Sequence, residues 1–281
     1  MKKLILLLVV AILAAIPAVT SAEQLNIAIM RDSMSDSRKY VPLIAYLKTK
    51  GIEVSLVATS SYPEAARKFT SHEVDAMFSG SGVAGVMIIK DLAVPAVRPV
   101  DRDGRSTYWA VVVGPKGAPK FTRSADYFRE KKVAFCSLAS SGEIYFQSLP
   151  NIKNANVTTI KAESHAAAIE MLSKKTVDFA IVKNRVWDKM KANFPGLQLA
   201  GEDTDENPDG TLILSTKIDP QFAAKVSAAF LAIKEGASPE ADAVCTGMTI
   251  KGFVKTTKED FKHTFSLLKE AGVDKSFDFA F

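Results

Sequence analysis

The sequence predicts a two-lobed α/β protein, because one supersecondary plan occurs in it twice. The segment from Ser61 to Phe78 is echoed by the segment from Ser164 to Ile181. In each, a serine opens an amphipathic helix of about three turns, a short polar turn follows, and Val-Asp begins an apolar strand. The equivalent pairs are Ser61/Ser164, Phe69/Leu172, Val74/Val177 and Asp75/Asp178. A second observation supports the first: upstream of each copy another apolar strand runs into a Ser-rich loop, Leu25–Ser33 and Lys132–Gly142. Two similar lobes enclose a cleft, which is the default place for a ligand.

The N-terminus reads as an export signal. Lys2 and Lys3 form a positive start, Leu4 to Ile16 an apolar run, and Thr20-Ser21-Ala22 a small-residue cleavage site, with the mature chain expected from Glu23. The apolar run is short and wrongly flanked for a membrane span, the alternative being an uncleaved N-terminal anchor, and no cysteine follows it to carry a lipid. Removal of residues 1–22 leaves 259 residues and lowers the net charge from +5 to +3. That length is where one core begins to split into two. The basic residues are scattered rather than striped, so nucleic acid is not an expected partner, and the small surplus favours small anions. Cys136 and Cys245 would enter an oxidising compartment. A bridge between them would resist hinge motion, and two buried free thiols are the favoured reading.

Along the chain, Leu25–Met30 is a strand, and Arg38–Lys50 a helix with Val41, Ile44, Ala45 and Leu47 on its apolar side and Gly51 closing it. Val54–Ala58 is the next strand, followed by the first copy of the repeat. Ala84–Leu92 is a helix, Ala93–Val100 an extended segment broken by Pro95 and Pro99, and Asp101–Gly104 a turn. Tyr108–Val113 is a strong strand, and Gly114–Pro119 is a linker by composition. The second lobe runs to about Gly201. An acidic, turn-rich stretch, Glu202–Gly210, precedes a strand at Thr211–Ser215 and helices at Pro220–Glu235, Pro239–Val244 and Lys258–Ala271, the last closed by Gly272. The late helices need a surface to pack on, so the chain is expected to return to the first lobe. The expected division is 1–22 signal, 23–110 with 211–281 as lobe one, and 111–210 as lobe two. Tyr108–Val113 and Thr211–Ser215 would lie side by side as the hinge.

Three loops after strands carry the chemistry. Ser33–Ser37 is the first. Ser79-Gly80-Ser81-Gly82 follows Ala76–Phe78 and opens a helix; it contains the spacing G-x-G-x-x-G up to Gly85, but after the third strand rather than the first. A dinucleotide is therefore not expected, and what remains is a helix start that favours an anion, or glycines that serve helix packing. Ser140-Ser141-Gly142 opens another helix; alone it is best read as an ordinary serine cap, whereas hydroxyls at all three loops favour convergence on one oxyanion. His165 follows the expected cap Ser164 at a strand's carboxyl edge, as a ligand contact or an ordinary satisfied histidine. His72 and His263 read as solvated. Neither the histidines nor the cysteines have metal-ligand spacing, so no metal or cofactor is expected. Ser141, His165 and Asp178 lack the G-x-S-x-G context of a hydrolase, and Asp178 repeats Asp75, so catalysis is not expected.

These residues resemble the phosphate/phosphite/phosphonate family of periplasmic substrate-binding proteins of ABC importers, a branch of the type 2 periplasmic binding fold. The resemblance rests on Tyr40 to Leu47, the Tyr62 unit ending in Val74-Asp75, and Asp103-Gly104 leading to Tyr108. It continues in Ser140-Ser141-Gly142, Ser164-His165 with Val177-Asp178, and Gly252-Phe253-Val254. It implies a two-strand hinge, a central cleft, and a phosphonate-like head held by Ser140, Ser141 and His165, with Tyr62 closing from the other lobe. Ser33, Ser79, Gly80, Ser81, Tyr108, Gly142, Asn184 and Arg185 complete the expected ligand set. Two departures stand out. Many members carry two aromatics around Gly-Pro where this chain has Ser79-Gly80-Ser81-Gly82. Aminophosphonate binders also place a carboxylate near position 185, where this chain has Lys183-Asn184-Arg185, and a cation there would repel an amine and accept a second negative group. The expected partners are a small oxyanion and a membrane permease, with a monomeric protein in the periplasm. The alternative is an exported sensor that presents the same lobes to a signalling receptor.

Overall fold

The computed structural model describes residues 23–30, 36–59, 62–136 and 140–278. The expected signal segment 1–22 and Ser33 lie outside the described residues. In chain order the elements are β1 (Glu23–Met30), α1 (Val41–Thr49), β2 (Ile52–Thr59), α2 (Tyr62–Thr70), β3 (Ala76–Ser79), α3 (Ser81–Ile89), β4 (Ala93–Asp101), β5 (Thr107–Tyr108) and β6 (Ala110–Pro115). They continue with β7 (Lys132–Cys136), α4 (Ser141–Gln147), β8 (Thr158–Ala162), α5 (His165–Ser173), β9 (Phe179–Lys183), α6 (Asn184–Met190), β10 (Leu197–Glu202) and β11 (Asn207–Pro208). The last are β12 (Thr211–Ser215), α7 (Pro220–Leu231), α8 (Pro239–Met248), β13 (Ile250–Lys255) and α9 (Lys262–Glu270).

The strands form two main sheets of one design. The first has the order β13-β4-β12-β3-β1-β2 and the second β10-β6-β9-β7-β8. In each, the three strands of the repeat are parallel, and the neighbour of the third is antiparallel: β12 beside β3, β6 beside β9. The duplicated Val-Asp dipeptide has a physical role in both. Asp75 Oδ2 accepts from Asn26 N at 2.8 Å, and Asp178 Oδ2 accepts from Lys132 N at 2.8 Å. In return, each aspartate's own N–H donates to the carbonyl of that same neighbour, Asn26 or Lys132. Each carboxylate thus clamps the start of its strand to the first strand of its lobe and fixes the register that buries one face.

Among the described residues, the buried apolar side chains form three clusters. One fills the outer face of the first sheet under α1, α7 and α8, around Leu43, Leu47, Phe230 and Phe253. Another lies between the second sheet and α5, around Ile169, Leu172 and Trp187. The third is shared: it runs from Phe69, Met77 and Met87 through Phe261 and Leu268 to Ile144, Phe146 and the rings of Phe121, Phe128 and Phe179. Helix α9 makes this bridge, packing on α3 of one lobe and α4 of the other. Gly85 permits the close approach, since a Cβ there would stand 2.7 Å from Leu268 and 2.9 Å from Thr264. The glycine spacing that begins at Gly80 therefore ends in a helix contact.

The hinge differs from expectation. The pair that joins the lobes is β5 with β11, in the antiparallel register Tyr108 to Asn207 and Thr107 to Pro208. Tyr108–Val113 is not one strand: at Trp109 the backbone N–H turns to Asn184 Oδ1 at 3.2 Å, and the carbonyl accepts from Asn184 N. Beyond that break the chain is β6, inside the second sheet, while Thr211–Ser215 lies inside the first. Gly114 and Pro115 belong to β6 rather than to a linker, because β6 keeps pairing with β10 as far as Pro115. Cys136 and Cys245 are not joined by a disulfide; Cys245 is buried, whereas Cys136 is only half-buried.

Candidate functional site

The site grows from helices that begin directly after strands on the two facing lobes. In the first lobe β3 ends at Ser79, Gly80 takes the extended cap conformation, and α3 starts at Ser81. The Ser79 hydroxyl donates to Gly80 O at 3.0 Å. The Ser81 hydroxyl shares a short hydrogen bond with the hydroxyl of Tyr108, whose side chain is fully buried on the hinge strand. Thr211 sits opposite Ser79 in the sheet; it is wholly buried, and its hydroxyl has no partner.

In the second lobe the two serines of α4 divide the labour. Ser140 is the cap: its hydroxyl accepts from Glu143 N at 3.2 Å and donates to Cys136 O. Ser141 is buried and its hydroxyl is unpartnered. That hydroxyl lies near enough to Tyr108 to favour the phenolate, without reaching hydrogen-bonding geometry. Gly142 has a packing reason, because a Cβ there would stand 2.3 Å from Ile181 O, so only glycine lets α4 sit on β9. Ser164 caps α5 by accepting from Ala167 N at 3.0 Å, which presents His165 as the first helical residue. His165 Nδ1 is buried with no partner. Burial, followed by the charge of Lys183, pushes the His165 imidazole down to about 3, so the ring is neutral at physiological pH.

A charge network borders these hydroxyls. Lys183 Nζ meets Asp209 Oδ1 at 2.7 Å and lies over the Tyr108 ring, 4.3 Å from its centroid. Arg185 Nη1 bridges Asp209 Oδ2 at 3.1 Å and Asp101 Oδ2 at 3.4 Å. Its Nε and Nη2 are buried without partners. Burial works against the charge of Asp209, yet Lys183 and Arg185 hold its carboxyl below the usual carboxylate range. Burial raises Tyr108, against the opposing pull of Lys183.

Ser81, Tyr108, Ser141, His165 and Arg185 are thus linked to one another through Tyr108, Lys183 and Asp209. Ser79, Ser140 and Asn184, expected to contact ligand, have side-chain oxygens bonded within the chain: Ser79 to Gly80, Ser140 as a cap, and Asn184 to Trp109. Tyr62 opens α2, and its side chain lies outside what is described. His263 is not solvated: Nε2 meets Asp203 Oδ2 at 2.8 Å, and the ring is half-buried. Thr211, Lys183 and Asp209 lie outside the expected ligand set. A lysine closing a strand and an aspartate in an acidic turn carry no local signal of meeting across a hinge. Among the described residues, no group of three or more His, Cys, Asp and Glu could hold a metal ion, and no helix is long and apolar enough to cross a membrane.

The family described as ABC transporter, phosphonate, periplasmic substrate-binding protein matches residues 27–261. The chain belongs to this family. Members bind small phosphonates for transport by ABC permeases, and the family is one of binding proteins, not of enzymes. Among curated proteins none matches the sequence. Solved structures share the type 2 periplasmic binding fold at low identity. A Xanthomonas citri protein bound to ATP is 14% identical with a TM-score of 0.74, covering 89% of this chain and 97% of its own. PhnD1 from Prochlorococcus marinus in complex with methylphosphonate is 15% identical with a TM-score of 0.69, covering 89% and 99%. A binding protein component of an ABC phosphonate transporter from Pseudomonas aeruginosa is 15% identical with a TM-score of 0.67, covering 89% and 87%.

Proposed function

We propose that this phosphonate-family binding protein captures a small phosphate- or phosphonate-like oxyanion between its lobes and delivers it to the permease of an ABC importer. One observation carries the reading. Ser141 Oγ, His165 Nδ1, Thr211 Oγ1 and the Nε and Nη2 of Arg185 are all buried polar atoms without partners. Each such atom costs roughly 1–3 kcal/mol when left unsatisfied. Hydroxyls and a guanidinium donate, and the neutral imidazole donates in one tautomer. An acceptor-rich anion satisfies all of them together, whereas a ligand rich in donors does not.

The proposed ligand set is Ser81, Tyr108, Ser141, His165, Arg185 and Thr211, to which the sequence-based expectation adds Ser33 and Tyr62. The lobes close about Thr107–Tyr108 and Asn207–Pro208. Arg185 Nε and Nη2 remain as donors for a ligand's acceptor oxygens and offer nothing to an ammonium, so the proposed selectivity is for phosphate, phosphite or an alkylphosphonate over an aminoalkylphosphonate. The mature chain acts as a monomer in the periplasm after loss of residues 1–22. Native mass spectrometry of freshly purified protein, followed by calorimetric titration of phosphate, phosphite, methylphosphonate and 2-aminoethylphosphonate, tests the reading. A co-purified or titrated small oxyanion supports it. No binding by any of the four, or tight preference for the aminophosphonate, overturns it.

A further inference from the structure

The Lys183 ammonium rests between an aromatic face and a carboxylate. On one side is the face of Tyr108, 4.3 Å from Nζ to ring centroid, and Tyr108 has no exposed surface. On another is the Asp209 carboxylate, whose Oδ1 is 2.7 Å from Nζ. An aromatic face and a carboxylate together select a cation, by the ring quadrupole and by direct charge pairing. The rest of the neighbourhood belongs to the anion cleft: the Tyr108 hydroxyl meets Ser81, Asp209 is shared with Arg185, and the charges of Lys183 and Asp209 both act on His165. A cation-selective enclosure therefore adjoins an oxyanion site, the arrangement that would recognise a molecule bearing an ammonium and an anionic head a few bonds apart. In this chain the ammonium is built in.

We propose that Lys183 is a specificity-determining residue that occupies a cation cage formed by Tyr108 and Asp209, and so closes the site to ligands that carry an ammonium beside the anionic head. The inference rests on the anion-capture reading and adds the source of its selectivity. Exclusion has two parts. The place that would hold the ligand's amine is filled, and the carboxylate that would pair with it is already shared by Lys183 and Arg185. Shortening Lys183 then does more than weaken a contact: it vacates a formed cage whose remaining walls, Tyr108 and Asp209, are held by Ser81 and Arg185.

The test uses the full mature protein and the variants Lys183→Ala and Lys183→Met. Methylphosphonate and 2-aminoethylphosphonate are titrated into each, and melting is followed with and without methylammonium chloride against an equal concentration of sodium chloride. The expected result is a shift of the affinity ratio toward 2-aminoethylphosphonate by about tenfold or more in both variants. Methylammonium should raise the melting temperature of the variants and leave the wild type unmoved. An unchanged ratio in variants that still bind methylphosphonate overturns the cage, as does a variant that ignores methylammonium or stays unfolded in its presence. If the wild type binds none of phosphate, phosphite, methylphosphonate and 2-aminoethylphosphonate, the anion-capture reading fails, and the methylammonium arm still judges the cage by itself.

Discussion

At the scale of single residues, two adjacent serines do different work with the same hydroxyl. Ser140 caps α4, so Ser140→Ala should lower stability by about 1 kcal/mol. Ser141 has no partner of its own, so Ser141→Ala should leave the melting temperature nearly unchanged and weaken oxyanion binding by roughly 1.5–3 kcal/mol, the range for a hydrogen bond to a charged group. Calorimetry and melts on both variants make the check; equal stability loss in the two would assign Ser141 to capping as well. His165 gives a pH dependence with a definite sign. Its folded value of about 3 lies below the ordinary 6.5, so between these values the unfolded chain binds the proton more readily. The stability it contributes is complete above pH 6.5 and is lost as pH falls toward 3. Melting of the ligand-free protein across that window should decline less steeply in His165→Gln than in the wild type.

At the scale of elements, α9 is the fastener between the lobes. Thr264 donates to Asn207 Oδ1 at 2.6 Å on the hinge strand β11, and His263 reaches Asp203 just beyond β10 of the second lobe. Asp205 and Glu270 add negative charge around the ring, and Arg123 lines the same recess. Burial alone would lower the His263 value, but the hydrogen bond and charge of Asp203 outweigh it and raise the imidazole above 6.5. The stability from this contact is therefore complete below pH 6.5 and is lost as pH rises through the raised value. His263→Gln should flatten the alkaline side of the stability profile and lower stability near pH 6 by roughly 1 kcal/mol. A variant whose profile matches the wild type would remove the fastener role. Opposed shifts at His165 and His263 place their joint optimum near the ordinary histidine value.

The elements also show where the sequence could be read and where it could not. The duplicated Val-Asp is legible because a strand start needs its register fixed locally, and Asp75 and Asp178 fix it in the same way. The caps at Ser140 and Ser164, and the late helices, follow from short-range rules. The break at Trp109 is invisible because Tyr108–Val113 is one apolar run, and only the distant Asn184 side chain interrupts it. The meeting of Lys183 with Asp209 is likewise set by topology, since β9 and the turn after β11 come together only once the sheets have formed.

At the scale of the whole molecule, ligand and hinge are thermodynamically one system: an anion that satisfies donors from both lobes can stabilise only the state in which the lobes are together. Small-angle scattering should show a more compact particle with a saturating oxyanion than without it. Identical profiles at saturation would mean that the apolar bridge through α9, Phe261 and Leu268 keeps the lobes together whether or not the cleft is filled.

The position of β12 has a consequence for time as well as for shape. It is an inner strand of the first sheet, between β3 and β4, yet it is contributed by residues 211–215. The second sheet is assembled from residues 110–202 alone. A chain delivered from its N-terminus, by a ribosome or through a membrane channel, therefore holds β3 and β4 as two unpaired edges while the later-encoded lobe already has every strand it needs. The lobe that begins the sequence is the last to be finished, and its waiting edges are where a nascent copy is most exposed to aggregation.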